Sequence, residues 1–325
     1  MSGSSVTVLE LADVAVHFAA RQSFLSKLQS PVRAVRGVSF DVAAGETLGL
    51  VGESGCGKST LANAIVGLVR PTRGSIRVNG TEISGASRAV LHDVRRNVQM
   101  IFQDPALSLN PRMTIGGAIG EPLAVRGIAQ GRELATRVAE SLVAVGLKPG
   151  DAGRYPHQFS GGQRQRIVIA RALSLEPSLV VCDEPVSALD VSVRAQILNL
   201  LMGLQRHRGM AYLFVSHDLS VIRHICDRVA VMYLGLIVEQ ATRETLFAAP
   251  KHPYTRALLS AVPEVDAARR STARVTLKGE LPSPSNIPSG CSFRTRCPIA
   301  TDLCRVETPP LASRSDGSLV ACHHA

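Results

Sequence analysis

Apolar and polar positions alternate along the chain in short runs that read as strands, separated by longer stretches with helical spacing. Residues 6–18 alternate loosely and end in His17-Phe18, which predicts an edge strand. Val38-Ser39-Phe40-Asp41-Val42 predicts a second strand. Residues 19–33 are polar, carry Pro31 and read as a loop. A turn at Ala44-Gly45-Glu46 leads into the short apolar strand Thr47-Leu48-Gly49-Leu50-Val51, and a helix is expected from Lys58 to about Val69. Ser75 to Gly80 reads as a strand with a turn signal at Asn79-Gly80, and Val98 to Phe102 as an apolar strand. Between Pro105 and about Ser174 the pattern becomes helical. Pro111, Gly116-Gly117, Gly120 and Pro122 are expected to break the chain first, and Leu134, Val138, Leu142 and Val145 then share one helical face. Leu179 to Cys182 and Ala211 to Ser216 are buried strands. The helix between them, Val193 to Gln205, carries Ile197, Leu198, Leu201 and Leu204 on its apolar side. Strands alternating with helices predict an α/β fold with a mainly parallel sheet. Composition shifts toward Pro, Arg and Cys after about Pro250. The expected domains are therefore 1–250, with a helical insert at about 105–174, and a small C-terminal extension at 251–325.

Chemistry enters where the apolar pattern pauses. Gly52-Glu53-Ser54-Gly55-Cys56-Gly57-Lys58-Ser59-Thr60 fits G-x-x-x-x-G-K-[ST] between a strand and a helix. Glycines let the backbone wrap a phosphate with several N–H groups turned inward, and the helix start adds unpaired N–H groups and a positive dipole end. Lys58 is the candidate charge for the β- and γ-phosphates and Ser59 the hydroxyl for Mg²⁺, so the loop predicts binding of a nucleoside triphosphate. The strand ending at Cys182 delivers Asp183 as a Mg²⁺ ligand and Glu184 as the base that polarises a water. Ser160 and Gln163 have capping-box spacing around Gly161-Gly162, which marks a second anion-binding helix start. The two glycines lower helix propensity for no packing gain visible in the sequence.

The chain has 325 residues, with 45% hydrophobic and 19% charged residues, enough for a large core. Aromatic residues are 4% and Trp is absent, which argues against single-stranded nucleic-acid binding on stacking platforms. A net charge of +10 is compatible with nucleic acid, an anionic membrane surface or a solvated basic face. The N-terminus shows no secretory signal, and position 2 is Ser, so myristoylation is not expected. The apolar stretch Val229 to Val238 is too short to span a bilayer, which predicts a soluble or peripheral cytoplasmic protein.

In order, the phosphate loop, Gln103, Ser160-Gly161-Gly162-Gln163, Asp183-Glu184, Ser187-Ala188-Leu189-Asp190 and His217 resemble ABC-type ATPase domains over about residues 8–250. The resemblance implies a P-loop NTPase core, mainly parallel, with an antiparallel edge sheet and a helical insert. It implies a head-to-tail dimer, with each ATP lying between one phosphate loop and the Ser160 helix of the other subunit. Gln103 would contact Mg²⁺ and water, His217 would hold the γ-phosphate, and Asp190 would contact the opposite subunit. Phe18 would stack on adenine; core packing for Phe18 and stacking by Phe24 stay open. Phe102-Gln103-Asp104-Pro105, Ser108 to Arg112, Asp183 to Ser192, and His252 to Leu259 resemble the peptide-importer branch. So do Gly279 to Pro284 and Gly290-Cys291-x-Phe293-x-x-Arg296-Cys297-Pro298, and the long loop before Val35 with Asn110 to Thr114 is most similar to the F-type subunit.

That resemblance implies an ATPase that powers import of oligopeptides or dipeptides from the cytoplasmic face of a bacterial inner membrane. The implied partners are a D-type ATPase subunit, two permease subunits and an external peptide-binding protein, with no nucleic acid. The segment from Pro105 to Pro122 would meet a permease helix. A soluble ABC ATPase acting on DNA or ribosomes is the competing reading, and nickel, glutathione and sugars are alternative cargoes. Cys291, Cys297, Cys304 and Cys322 are spaced unlike zinc knuckles, and spacing leaves free thiols or an iron–sulfur cluster open. Arg294, Arg296 and Arg305 nearby are expected to favour thiolates. Resemblance to some peptide-importer relatives adds a [4Fe–4S] cluster as an expectation. His323 and His324 read as a frayed end, and Cys56, Cys182 and Cys226 as small buried or loop residues.

Overall fold

Most of these runs become strands and helices in the computed structural model, which describes residues 6–19, 31–261 and 279–325. The strands are β1 (Thr7–Phe18), β2 (Val32–Ala43), β3 (Thr47–Val51), β4 (Arg73–Val78), β5 (Thr81–Glu82), β6 (Val98–Ile101) and β7 (Leu179–Asp183). They continue with β8 (Ala211–Ser216), β9 (Arg228–Tyr233), β10 (Leu236–Thr242), β11 (Ala312–Ser313) and β12 (Leu319–Val320). The helices are α1 (Lys58–Ile65), α2 (Arg88–Asn97), α3 (Pro105–Ser108), α4 (Ile115–Val125), α5 (Gly131–Ala144) and α6 (Gly161–Leu173). After them come α7 (Val191–Arg208), α8 (Leu219–Ile225), α9 (Arg243–Ala248), α10 (Pro253–Ser260) and α11 (Leu303–Val306). The chain divides into two compact units, and β8 belongs partly to each.

One unit comprises Val78–Leu213, Val42–Glu46 and the described part of Met1–Leu9. Its strands follow the order β8-β7-β6, and β6 and β7 are parallel, with Val98 opposite Leu179 and Ile101 opposite Cys182. The insert is helical as expected, but α4 runs straight through Gly116, Gly117, Gly120 and Pro122, where breaks were predicted. Packing overrides propensity there. A Cβ on Gly120 would sit 3.3 Å from both Leu134 and Val138, so the glycine lets α5 approach closely. Thr114 caps α4 by accepting from the Gly117 N–H at 3.2 Å. Helix α7 buries Ile197, Leu198, Leu201 and Leu204 as predicted, each worth about 1.5–3 kcal/mol.

The other unit comprises Glu10–Asp41, Thr47–Arg77 and the described part of Phe214–Ala325. One sheet there has the order β11-β12-β10-β9-β3-β8, with β3 parallel to β9 and every residue of β3 buried. The apolar stretch from Val229 is a hairpin: Leu234 (φ 42°) and Gly235 (φ 80°) turn β9 into antiparallel β10. Among the described residues no helix is long and apolar enough to cross a membrane. In the second sheet β1 lies between β2 and β4, not at an edge as predicted, because loose alternation reports one buried face and not the number of neighbours. Helix α1 stops at Ile65 rather than about Val69. Gly67 is left-handed (φ 72°), and the Leu68 and Val69 N–H groups both return to the Asn63 carbonyl, at 2.8 and 3.2 Å.

Candidate nucleotide site

Strand β3 delivers Gly52 to the turn, and Gly57 (φ 111°) starts α1 with no side-chain cap. A Cβ on Gly57 would lie 2.1 Å from the Ala34 carbonyl oxygen, so only glycine fits. An uncapped helix start leaves first-turn N–H groups to an anion. The Lys58 ammonium is drawn into the loop, donating to the Gly52 and Glu53 carbonyls at 2.7 and 2.9 Å, and the residue is only 6% exposed. An anionic phosphate oxygen is a stronger partner for that ammonium than a neutral carbonyl. Cys56 is buried; burial pushes its thiol up, and nearby Lys58 opposes the shift only in part. Ser59 is exposed at the first turn of α1, beside the loop. Phe18 ends β1 at 43% exposure, so it is not the core residue of the alternative reading. Phe24 lies outside the described residues. His217 follows β8 and is exposed, just before α8, which Asp218 caps by accepting from the Ser220 N–H.

In the other unit, exposed Gln103 follows the end of β6, and Asp104 caps α3 by accepting from the Ala106 N–H at 2.7 Å. Parallel pairing with β7 puts the carboxyl ends of both strands at the same edge of that sheet, where α/β folds place ligands. Asp183 closes β7, and Glu184 follows in the left-handed region (φ 49°), a strained conformation for a side-chain residue. The Glu184 carbonyl accepts from the Ser187 N–H and hydroxyl, at 3.3 and 3.1 Å, which stabilises that turn. The capping box is present: the Gln163 N–H donates to the Ser160 hydroxyl at 3.4 Å, and the Ser160 N–H to the Gln163 side chain at 3.1 Å. A Cβ on Gly162 would meet Val193 of α7 at 2.4 Å, so this glycine does have a packing reason, contrary to expectation. Gly161 has only Leu189 within reach, at 3.9 Å. Asp190 precedes α7, exposed and without a capping bond from its side chain.

The cysteine tail departs from expectation. Burial pushes the Cys291 and Cys297 thiols up, with neighbouring cysteines adding to the effect, so thiols and not thiolates are favoured at these two positions. The arginines are engaged elsewhere: Arg296 with Glu53, Arg294 with the Ser289 carbonyl and Arg305 with Asp302. His324 is not frayed. Its Nε2 lies 3.2 Å from the Thr301 hydroxyl and 3.6 Å from Cys304 Sγ, while His323 Nε2 lies 3.1 Å from the Glu307 carbonyl. Among the described residues no group of three or more His, Cys, Asp or Glu side chains could hold a metal ion. Nothing in this arrangement supports the iron–sulfur cluster of the sequence-based expectation.

Two residues meet the phosphate loop where the sequence did not put them: Tyr254, which carried only the family resemblance, and Arg296, expected instead to act on the cysteines. Tyr254 accepts the Glu53 N–H at 2.8 Å, and Arg296 forks onto the Glu53 carboxylate at 2.6 and 3.0 Å. The only local hint was an acid inside a loop built for anions, which calls for a counter-charge.

Known proteins resemble this chain throughout its length. Residues 35–187 match the ABC transporter family, and 238–304 match the oligopeptide/dipeptide transporter C-terminal region. The oligopeptide transport ATP-binding protein AppF of Bacillus subtilis (strain 168) is 52% identical over 98% of this chain and 97% of its own length. The di/tripeptide transport ATP-binding protein DppF of Pseudomonas aeruginosa (strain UCBPP-PA14) is 49% identical over 98% of this chain and 98% of its own. Among solved structures, the dimeric post-hydrolysis state of the ATP-binding cassette MJ0796, bound to ADP and Pi, aligns with TM-score 0.64 and 29% identity. It covers 72% of this chain and 98% of that one. Cassette and C-terminal region occur here in one chain, and the likeness runs nearly end to end: the chain belongs to the ABC transporter ATP-binding proteins of the oligopeptide/dipeptide branch.

Proposed function

We propose that this chain is the ATP-binding and hydrolysing subunit that powers peptide import through an ABC transporter, docked on the cytoplasmic side of a bacterial membrane. The observation that carries the reading is a phosphate loop and a peptide-transporter C-terminal region in one polypeptide. The functional division is residues 1–250 as the ATPase and 251–325 as the extension. Two permease subunits, an external peptide-binding protein and a D-type ATPase partner complete the complex. The competing reading, a soluble ATPase on DNA or ribosomes, predicts salt-sensitive DNA binding by counterion release.

The roles of individual residues follow the family resemblance. Gly52 to Thr60 wrap the phosphates with backbone N–H groups, and Lys58 supplies the charge. The resemblance assigns Mg²⁺ to Ser59, Gln103 and Asp183, whose hydroxyl, amide oxygen and carboxylate are hard-oxygen donors of the kind Mg²⁺ takes. Bound Mg²⁺ neutralises charge developing on the phosphates. Glu184 takes a proton from the attacking water, and His217 donates toward the γ-phosphate. Exposed Phe18 offers a face for adenine. Ser160 to Gln163 present a capped helix start, and Asp190 an exposed carboxylate, to the partner subunit's nucleotide and surface.

The exposed side of the helical insert is the proposed permease contact. Leu107 is 87% exposed next to the Gln103 turn, whereas Ile115 is fully buried and unavailable. A tagged chain expressed with its membrane subunits tests the assignment. The expected result is co-purification and ATP hydrolysis stimulated by peptide-loaded binding protein. Recovery of the chain alone, with hydrolysis indifferent to peptide, would contradict it.

A further inference from the structure

The second residue of the phosphate loop is Glu53, a carboxylate inside a loop that must take a polyphosphate. Left unpaired it would repel the ligand, because two negative charges in a poorly solvated site repel more strongly than in water. Hydrogen bonds engage the backbone N–H, the carboxylate and the carbonyl of this residue. Its N–H donates to the Tyr254 hydroxyl oxygen at 2.8 Å. Its carboxylate takes both ends of the Arg296 guanidinium, at 2.6 and 3.0 Å, with the Arg296 side chain only 5% exposed. Its carbonyl accepts from Lys58 at 2.9 Å.

The two holding residues are themselves fixed. Tyr254 is fully buried in a ring cluster, 4.7 Å from Tyr233 and 5.5 Å from Phe293 between centroids, and Phe293 lies 5.2 Å from Tyr233. The turn preceding Arg296 is anchored by the Arg36 guanidinium, which donates to Ser292 Oγ at 2.8 Å and to the Leu234 carbonyl at 3.2 Å. Burial keeps the Tyr254 phenol protonated, and pairing with Glu53 keeps Arg296 charged.

We propose that Arg296 and Tyr254 are positioning residues of the phosphate loop: they turn Glu53 away from the phosphates and cancel its charge, so that the C-terminal extension sets the affinity for ATP. The inference deepens the ATPase reading. A bidentate guanidinium matches a carboxylate in geometry as well as charge, so it holds direction as well as potential. The Glu53 N–H is occupied by Tyr254 and the Cys56 N–H by the Glu53 carbonyl, at 3.3 Å, so phosphate binding falls to the other N–H groups of the loop.

Steady-state ATP hydrolysis and nucleotide titration on the full chain test this with Arg296→Gln, Arg296→Lys, Glu53→Gln and the Glu53→Gln/Arg296→Gln double variant. Arg296→Gln exposes the phosphates to an unpaired carboxylate and is expected to raise KM for ATP about tenfold, with kcat within about twofold. Arg296→Lys keeps the charge and recovers part of the loss. The double variant has neither charge and returns KM to within about threefold of wild type, although the ion pair is gone. Tyr254→Phe keeps the ring packing and removes the oxygen. It is expected to raise KM about threefold and stands in if Arg296→Gln fails to fold. A lowered melting temperature with unchanged KM in Arg296→Gln, a double variant as impaired as the single one, or a wild-type KM in Tyr254→Phe overturns the inference. A wild-type chain that hydrolyses no ATP would instead overturn the ATPase reading itself.

Discussion

Lys58 reaches back into its own loop and bonds two carbonyls, so the ammonium is already placed where phosphate oxygens would claim it. Lys58→Ala removes charge-assisted bonds and is expected to weaken ATP binding roughly a hundredfold in a fluorescent-nucleotide titration. Wild-type affinity in that variant would remove Lys58 from the phosphate site. Glu184 sits on a strained backbone directly after the strand end, a conformation that a structural turn would leave to glycine. Glu184→Gln is expected to keep ATP affinity within about threefold and to lower kcat by about 10²–10⁴, the range of a lost general base. Phosphate release at the normal rate would exclude the assigned role. The places of Lys58 at the start of α1 and of Glu184 just after β7 were legible from motif spacing. Arg296 was not: its partner lies 243 residues away, and a pairing at that range leaves no periodic trace.

Elements whose apolar residues repeat regularly were legible in the sequence: β3, β7, β8 and α7 fall where the pattern put them. Elements governed by close approach were not. Helix α4 forms across two glycine sites and Pro122 because α5 packs onto Gly120, a tertiary reason that propensity cannot anticipate. The same logic applies to α6 and α7. Gly162→Ala places a Cβ against Val193 and is expected to lower stability by about 1–3 kcal/mol in a thermal or urea melt. Adding Val193→Ala should recover most of that loss, and independent, additive losses would argue against the contact.

Helix α10 carries a titratable cap. His252 is 1% exposed and accepts the Tyr254 N–H on Nδ1 at 3.0 Å, while its own N–H donates to Glu239 at 2.9 Å. Burial, aided by Arg256, lowers its pKa from 6.5 to about 4. A depressed histidine pKa means that the unfolded chain takes up the proton first. Stability is therefore complete above about pH 6.5 and declines as pH falls toward about 4, by about 3 kcal/mol. His252→Asn keeps a capping oxygen without a proton to gain, and its melting temperature should fall less over that window. Equal acid sensitivity in both proteins would assign the pH dependence elsewhere.

At the scale of the whole molecule, the chain's task is to convert nucleotide binding into motion of attached subunits. On the proposed function, a two-state dimer, closed by ATP and released by hydrolysis, would move whatever is docked on the insert that bears Leu107. If, as proposed, the Ser160 helix of one subunit completes the nucleotide site of another, Glu184→Gln is expected to trap an ATP-dependent dimer, with itself or with the proposed D-type partner. Light scattering that shows monomers with ATP in both mixtures would contradict it. The most direct measurement is peptide accumulation in sealed vesicles that hold the purified complex, with ATP·Mg²⁺ on the side of this subunit and peptide-loaded binding protein on the other. The account predicts uptake that requires ATP and is lost in both Lys58→Ala and Glu184→Gln. Uptake without ATP, or ATP-driven uptake that survives those substitutions, would contradict it.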